Sequence, residues 1–252
     1  RMLGSRLYWD EVSAGTGALD PDNCLFIMPG PLTGTAATAC SRWVMSAKSP
    51  HSFPDQYGFG NGGGFFGAGL KHAGYDGLII TGKAPEASYL LIENEKVVLK
   101  SAPGLRGLST DETMERLKAE HGSSARVVCI GPAGELLIRF AIAMTDQGGG
   151  LSNGMGAVMG SKNLKALVVK GNRKVAMAHP EQVREINQQA RLLRKGLNES
   201  VFMTEPMLEG IDKVKAKNLG YEILPGDAWI EQDVDILMPC ALENQITGET
   251  VN

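Results

Sequence analysis

The sequence lacks the features of a membrane protein or a disulfide-rich secreted protein. No apolar run reaches the roughly 18 residues of a membrane-spanning helix, and the first residues, RMLGSRLYWDEV, contain no apolar signal core. The cysteines lie far apart and form no C-x-x-C pair, which argues against a disulfide framework or a self-contained zinc site; they are Cys24, Cys40, Cys129 and Cys240. We therefore expect a cytoplasmic protein without a membrane partner.

The sequence also lacks a charge excess that would attract polyanions. It has 25 basic and 28 acidic residues, a formal net charge of −3, so we expect no nucleic-acid partner. The four histidines are scattered without an H-x-x-x-H pair, and we predict no metal site built from protein side chains.

Glycine, by contrast, is abundant, with 32 residues in 252, nearly twice the typical share of about 7%. No collagen period explains this excess, so the glycines are expected where the backbone needs tight geometry. Apolar runs and turn residues predict a mixed α+β protein. Strands are predicted at 25–30, 35–47, 77–83, 88–100 with a turn at 93–96, 126–134, 135–144 and 164–171. Helices are predicted at 65–72, at 109–122 with Ser109 as N-cap and Glu112 three residues on, and at 179–196.

The chain repeats itself. Residues 25–34 resemble 127–134, and residues 61–71 resemble 153–165. In both halves the order is strand, Gly-Pro turn, strand, N-G-x-G segment, short helix and strand, which predicts two β-sheets from an internal duplication. We call residues 58–64 the first glycine segment and residues 147–154 the second. Two such symmetric segments suit a ligand with two similar halves, or two copies of one ligand.

The first glycine segment satisfies G-x-G-x-x-G through Gly58, Gly60 and Gly63. A dinucleotide site also needs a strand directly before the first glycine and an acidic residue about 20 positions on. Residues 53–57 are a poor strand, and the next strand ends in Thr-Gly-Lys, so the pattern argues against a dinucleotide. Two alternatives stay open: glycines that only allow close strand packing, and a phosphate-bearing ligand of another kind, which free backbone N–H groups would suit.

Four stretches carry a family resemblance. GPLTGTAATACSRWVMSAKSP (30–50), NGGGFFGAGLKHAGYDGLIITGKA (61–84), GPAGELLIRFAIAMTD (131–146) and GAVMGSKNLKALVVKG (156–171) resemble the N-terminal domain of the tungsten-containing aldehyde ferredoxin oxidoreductases. The resemblance covers residues 1 to about 180. It implies a domain at 1–178 that binds two pterins, with opening strands missing before Arg1, followed by a helix and tail of uncertain fold at 179–252.

The resemblance implies a base of two sheets that carries tungsten, or molybdenum, between two pterin dithiolenes, with magnesium bridging the pterin phosphates. Arg42, in the S-R-W position, would contact the pterin or its phosphate, because a guanidinium binds phosphate oxygens bidentately; a surface salt bridge is the alternative. Asn61 would line the first cofactor, or else be a left-handed turn residue. The remaining cofactor-binding positions are Gly62, Gly63 and Gly64 in the first segment, and Gly149, Gly150, Asn153 and Gly154 in the second.

The sequence departs from the family in three ways. The second glycine segment has no arginine, so phosphate binding there would rest on backbone N–H groups or be weaker. The iron–sulfur cluster of the family needs C-x-x-C-x-x-x-C plus a distant cysteine. This chain lacks that pattern, and after residue 129 its only cysteine is Cys240, which cannot build a cluster. We expect the two helical domains that supply the catalytic acids and the substrate channel in the family to lie outside this chain. We therefore expect oligomers or a partner chain.

The tail follows a different pattern. Within residues 211–251, DVDILMPCALENQIT resembles the segment of glutamate and leucine dehydrogenases that reaches the nicotinamide cofactor. By that match Pro239, Cys240 and Asn244 would lie beside NAD. A recombined gene would explain both halves, and coincidence is the alternative.

Three functions follow as hypotheses. The first is the cofactor-binding domain of a tungsten or molybdenum bis-pterin oxidoreductase, which would oxidise an aldehyde to an acid and pass electrons to ferredoxin or an iron–sulfur subunit. The second is a non-catalytic pterin carrier or empty scaffold. The third is a fragment of an NAD-dependent amino-acid dehydrogenase. No residue is an obvious general acid or base, since Asp76, Glu135 and Asp146 look like turn or surface carboxylates.

Overall fold

The computed structural model describes residues 2–199, and side chains through residue 192. The first half contains α1 (Met2–Glu11), β1 (Leu25–Pro29), β2 (Trp43–Ser49), β3 (Gln56–Gly62), α2 (Phe66–His72) and β4 (Leu78–Ile80). The second half contains β5 (Ser88–Glu93), β6 (Lys96–Ser101), a 3₁₀ turn (Pro103–Leu105), α3 (Thr110–His121), β7 (Arg126–Cys129), α4 (Pro132–Glu135), β8 (Ala143–Thr145), β9 (Gly150–Leu151), α5 (Met155–Ser161) and β10 (Leu164–Lys170). Helix α6 (Pro180–Glu199) follows.

The strands form two sheets with a shared topology. The first sheet has the order β3-β2-β1-β4, and the second has the order β6-β5-β10-β7-β8-β9. Starting from β9, the second sheet runs β9-β8-β7-β10, and every neighbouring pair in both four-strand sets is antiparallel. The hairpin β5–β6 adds to the second sheet because β5 pairs with β10 in parallel. The predicted α+β fold with two sheets and an internal duplication is confirmed.

The two halves share one hydrophobic core. Buried side chains of β1 and β2 in the first sheet, of β7 and β10 in the second, and of α2 and α5 form a single cluster, which includes Ile27, Trp43, Phe66, Val128, Val158 and Leu167. Since both sheets contribute to this cluster, burial of its apolar surface stabilises them together. A second cluster packs α3, through Leu117, on the other face of the second sheet.

Helix α3 and the β5–β6 turn confirm the local sequence signals. The Ser109 hydroxyl accepts the backbone N–H of Glu112, and the Glu112 side chain accepts the backbone N–H of Ser109 at 2.8 Å, which makes a full capping box. Between β5 and β6, Asn94 adopts a left-handed conformation with φ of 52°, as a tight turn requires.

Two strand predictions are wrong in extent. In the stretch 35–47, only Trp43 onward is strand, because the chain turns through residues 35–42 and Ala39 has φ of 61°. The stretch 135–144 is strand only from Ala143. Its first residue, Glu135, is the last residue of the short helix α4. Leu137 is left-handed, with φ of 58°, so the chain cannot form a continuous strand from there.

Two boundaries also differ from the sequence prediction. Helix α6 continues through Gly196 to Glu199, so the glycine does not end it. The first glycine segment is mostly strand rather than loop, since β3 extends to Gly62.

The chain divides into compact units at 1–185 and 186–252. The unit that ends at Glu185 holds both sheets. The tail at 211–251, with Pro239, Cys240 and Asn244, lies outside the described residues.

Candidate functional site

The first glycine segment runs along β3, in antiparallel register with β2 from Gln56 to Gly62. A Cβ on Gly58 would lie 2.5 Å from the Cβ of Ser49, and one on Gly60 would lie 2.8 Å from the backbone nitrogen of Ser152. A Cβ on Gly62 would overlap the Trp43 ring. These three glycines allow close packing. The strand does begin at Gln56, which the sequence argument did not expect. The conclusion against a dinucleotide stands on another ground, because Gly58 and Gly60 lie within that strand and not in a turn between a strand and a helix.

Gly63 is different because its Cα faces open space beside Arg42. A Cβ there would meet only the Arg42 Nη1, at 3.6 Å. Arg42 is exposed, and within the part of the chain that the structure describes its guanidinium forms no ion pair or hydrogen bond. The salt bridge considered for Arg42 is therefore not seen among these residues, and the guanidinium is available to a ligand.

The position of Gly63 is set from inside the protein by Trp43. The Trp43 indole is buried, stacks against Phe66 with ring centroids 4.9 Å apart, and donates from Nε1 to the Gly63 carbonyl at 3.0 Å. This bond directs the Gly63 carbonyl inward. Sequence analysis missed this role, although Trp43 directly follows Arg42 in the S-R-W stretch.

Asn61 is exposed on β3 opposite Val44. It does not have a positive φ, so the left-handed alternative for Asn61 is wrong. Its repeat counterpart Asn153 is the left-handed residue, with φ of 57°. Because Asn61 is extended, its amide extends from the strand surface near the Arg42 end of the segment.

The second glycine segment uses its polar groups mainly within the protein. The Asn153 amide donates to the Phe59 carbonyl at 2.6 Å, and the Asn153 carbonyl accepts the Ser49 hydroxyl at 2.7 Å. A Cβ on Gly154 would lie 2.5 Å from the Arg139 carbonyl oxygen. These contacts tie the residues between β9 and α5 to β3 through Phe59, to β2 through Ser49 and to the chain at Arg139, so Asn153 and Gly154 have a packing role.

The other two positions proposed in the second segment are also partly occupied. The backbone N–H of Gly149 donates to the Thr145 hydroxyl at 2.9 Å. Gly150 is the first residue of the short strand β9, and a Cβ there would lie 3.2 Å from the Ile142 side chain. The two segments lie close together but are not equivalent. Gly63 of the first segment faces open space, whereas at Gly148 of the second, where a Cβ would also meet nothing within 4 Å, the backbone N–H already donates to the Thr145 carbonyl.

A side chain from the second segment reaches the first. Gln147 Oε1 accepts the backbone N–H of Phe65 at 2.7 Å, just before α2. Sequence analysis gave Gln147 no role; the available signal was a polar side chain placed directly before three glycines. The amide at the start of α2, expected to be open to an anion, is thus occupied by a protein group.

The carboxylates that we considered structural are ion-paired. Asp146 is buried, with its Oδ2 2.9 Å from Lys118 Nζ and 3.7 Å from Arg126 Nη1. Glu135 lies 2.6 Å from the buried Lys165, and Asp76 pairs with Lys71. Each of the three carboxylates thus has a cationic partner, and none of them pairs with Arg42.

The described residues contain neither a metal-binding cluster nor a membrane-spanning helix. Among the side chains that the structure describes, residues 2–192, no three or more His, Cys, Asp or Glu residues come together in a way that could hold a metal ion. In that range no helix is both long and apolar enough to cross a membrane.

Comparison with known proteins places the chain in a family. Residues 1–171 match the family model for the aldehyde ferredoxin oxidoreductase N-terminal domain. The tungsten-containing aldehyde ferredoxin oxidoreductase of Pyrococcus furiosus is 40% identical over 192 residues, which cover 72% of this chain and 31% of that protein. The WOR-like subunit of an aliphatic sulfonate oxidoreductase from the same organism is 34% identical over 229 residues, which cover 81% of this chain and 34% of that protein.

A solved structure shows the same fold. The active site complex BamBC of benzoyl coenzyme A reductase, in complex with 1,5-dienoyl-CoA, superposes with a TM-score of 0.75 at 35% identity, over 81% of this chain and 31% of that one. The chain thus spans about a third of the length of these relatives. By sequence and by fold, it belongs to the family of aldehyde ferredoxin oxidoreductase N-terminal domains.

Proposed function

We propose that this chain binds the pterin phosphates of a tungsten or molybdenum cofactor through Arg42, Asn61 and the backbone of Gly63. The observation that carries the proposal is the Arg42 guanidinium, exposed and 3.6 Å from the position that a Cβ on Gly63 would occupy. A guanidinium offers a planar set of donors that matches phosphate oxygens. The absence of a side chain at Gly63 leaves room for the phosphate beside it.

The names of the relatives support tungsten as the metal. The duplicated fold supports two pterins, one for each half, and magnesium between their phosphates would offset the repulsion between the two anions. The groups left open favour the first half as the stronger anion site. In the second half, Gly149, Gly150, Asn153 and Gly154 would contribute shape and packing more than free donors.

When bound, the cofactor would supply the two-electron chemistry that converts an aldehyde to a carboxylic acid. The residues of this chain would hold and orient it, because no carboxylate or histidine among the described residues lies free beside Arg42. Ferredoxin or an iron–sulfur subunit would accept the electrons. A thioester is the alternative substrate, because the BamBC structure contains a dienoyl-CoA.

A partner chain or further domain is part of the proposal, as is a cytoplasmic location. Residues 136–142 expose several large apolar side chains to solvent, among them Leu136 and Phe140. Such a cluster is typical of a surface that another protein surface covers. It lies just before β8, in the half of the domain that holds the second glycine segment.

A pterin carrier without catalytic activity is the second candidate. The second segment favours this candidate, because its donors are already used within the protein. A site with free donors only at the first segment would retain a pterin less completely. The dehydrogenase alternative rests on the tail, which lies outside the described residues. The G-x-G-x-x-G pattern gives it no support, since Gly58 and Gly60 lie within the antiparallel strand β3.

The test uses Arg42→Ala in the full 252-residue chain, with Arg184→Ala, an exposed arginine of α6, as the matched control. Tungsten and molybdenum would be measured by mass spectrometry, and pterin by fluorescence after oxidation. Loss of hydrogen bonds to a charged group should lower retained pterin about tenfold or more in Arg42→Ala, with no change in the control. Wild-type chain with neither metal nor pterin would contradict the proposal, and aldehyde turnover with a viologen dye would separate the enzyme from the carrier.

A further inference from the structure

The carboxamide of Gln147 fills the space beside Gly64, which we call the notch. Its Oε1 accepts the Phe65 backbone N–H at 2.7 Å, and a Cβ added to Gly64 would overlap this oxygen. Gly64 also has φ of +71°, a conformation that favours glycine. The carboxamide therefore takes the space that any other residue at position 64 would fill.

The backbone that carries Gln147 is held on both sides. The preceding residue, Asp146, is buried in an ion pair with Lys118, and its N–H donates to the Val127 carbonyl at 3.0 Å. After Gln147, the Gly148 N–H donates to the Thr145 carbonyl at 3.1 Å. These contacts limit how far the Gln147 side chain can move from the notch.

Residues 63–65, which contact Gln147 through the Phe65 N–H, are also held in place. Trp43 holds the Gly63 carbonyl from the core, and the Arg126 guanidinium lies 5.0 Å from the centroid of the Phe65 ring. Arg126 is also near Asp146, at 3.7 Å. The notch thus lies at the junction between the two halves. The residues on both of its sides are held by contacts with the second sheet or the shared core.

The orientation of the carboxamide follows from this bond. An N–H donor at Phe65 requires the oxygen of Gln147, so the Nε2 group with its two N–H donors points the other way. Gln147 is exposed, and its Nε2 has no hydrogen-bond partner among the backbone and side-chain groups that the structure describes. Arg42 borders Gly63 and Gln147 borders Gly64, so the two side chains flank consecutive glycines.

We propose that Gln147 is an anion-binding residue of the first glycine segment, with its Nε2 donating to the same phosphate group that Arg42 binds. This inference rests on the proposed function. It assigns to the second half a donor that acts on the cofactor of the first half, although the second segment has no arginine. The N–H at the start of α2 orients Gln147 and does not itself bind the anion.

The test compares Gln147→Glu and Gln147→Met, with Gln182→Glu on α6 as the control for the added charge. Hydrogen exchange of the Phe65 amide reports on the notch, and retained pterin reports on binding. In Gln147→Glu the Phe65 amide should exchange as in wild type, because the acceptor remains. Retained pterin should fall about tenfold or more, since a charge-assisted donor is lost and a carboxylate faces the phosphate.

In Gln147→Met both readouts should change, with faster exchange at Phe65 and less pterin, while Gln182→Glu should change neither. Pterin at the wild-type level in either Gln147 variant would overturn the inference, and slow exchange in Gln147→Met would overturn the role of the notch. If Arg42→Ala loses pterin while Gln147→Glu keeps it, the proposed function stands and only this inference fails. Wild-type chain without pterin would overturn both.

Discussion

Among single residues, the glycines of the first segment serve two different purposes. Gly58, Gly60 and Gly62 are required because other parts of the protein occupy the space where a side chain would be. Gly63 faces the Arg42 guanidinium and open space. Sequence alone gives all four the same letter, so it cannot separate a glycine needed for packing from one that leaves open space. The difference depends on which residues lie opposite each glycine after folding.

Trp43 determines where Gly63 lies, so Trp43→Phe should disturb the site without touching Arg42. Phenylalanine keeps most of the ring but removes the donor to the Gly63 carbonyl and leaves a gap next to Gly62. We expect a loss of about 1–3 kcal/mol in the free energy of unfolding, measured by urea denaturation, together with lower pterin retention. Trp9→Phe, at an indole that is 79% exposed, is the control. Equal stability of the two variants would contradict the role of the buried bond.

Among individual helices and strands, the sequence predicted best where the signals are local. Helix α3 was predicted because Ser109, Glu112 and Gly122 lie at its ends, and a capping box depends only on residues three apart. The stretch 135–144 was predicted wrongly because its apolar run is typical of a strand. Its conformation instead depends on distant packing: the Ala141 carbonyl accepts the Gly156 N–H at 3.0 Å, and a Cβ on Gly154 would lie 2.5 Å from the Arg139 carbonyl oxygen. Those contacts cannot be inferred from the run itself.

The capping box can be tested by Ser109→Ala. Without the hydroxyl, the Glu112 N–H loses its acceptor at the start of α3. The expected cost is about 1 kcal/mol in the free energy of unfolding, from urea denaturation. Ser123→Ala, at an exposed serine just after the helix, should leave stability nearly unchanged. A Ser109→Ala variant as stable as Ser123→Ala would show that the cap adds nothing.

Across the chain as a whole, the internal repeat brings β3 and β9 together with almost no side chain between them. A Cβ on Gly60 would lie 2.9 Å from backbone atoms of Leu151 and 2.8 Å from the nitrogen of Ser152. Gly60→Ala should push the two halves apart and destabilise the domain by about 1–3 kcal/mol, seen as a lower midpoint of thermal unfolding. Gly15→Ala, where a Cβ meets nothing within 4 Å, is the control. If Gly60→Ala unfolds at the wild-type temperature, the close approach is not needed.

The repeated motifs in the sequence were enough to predict the duplicated α+β architecture, because apolar periodicity, glycine placement and helix caps act over short distances along the chain. The family was indicated separately, by the resemblance of four stretches to its members. Folding had to bring residues far apart in sequence together before the site could be recognised. Gln147 reaches Phe65 across the junction of the halves, and Asn153 donates to Phe59 instead of remaining free for a ligand. Whether a polar group is free to bind depends on its neighbours in space, and a linear pattern does not specify them.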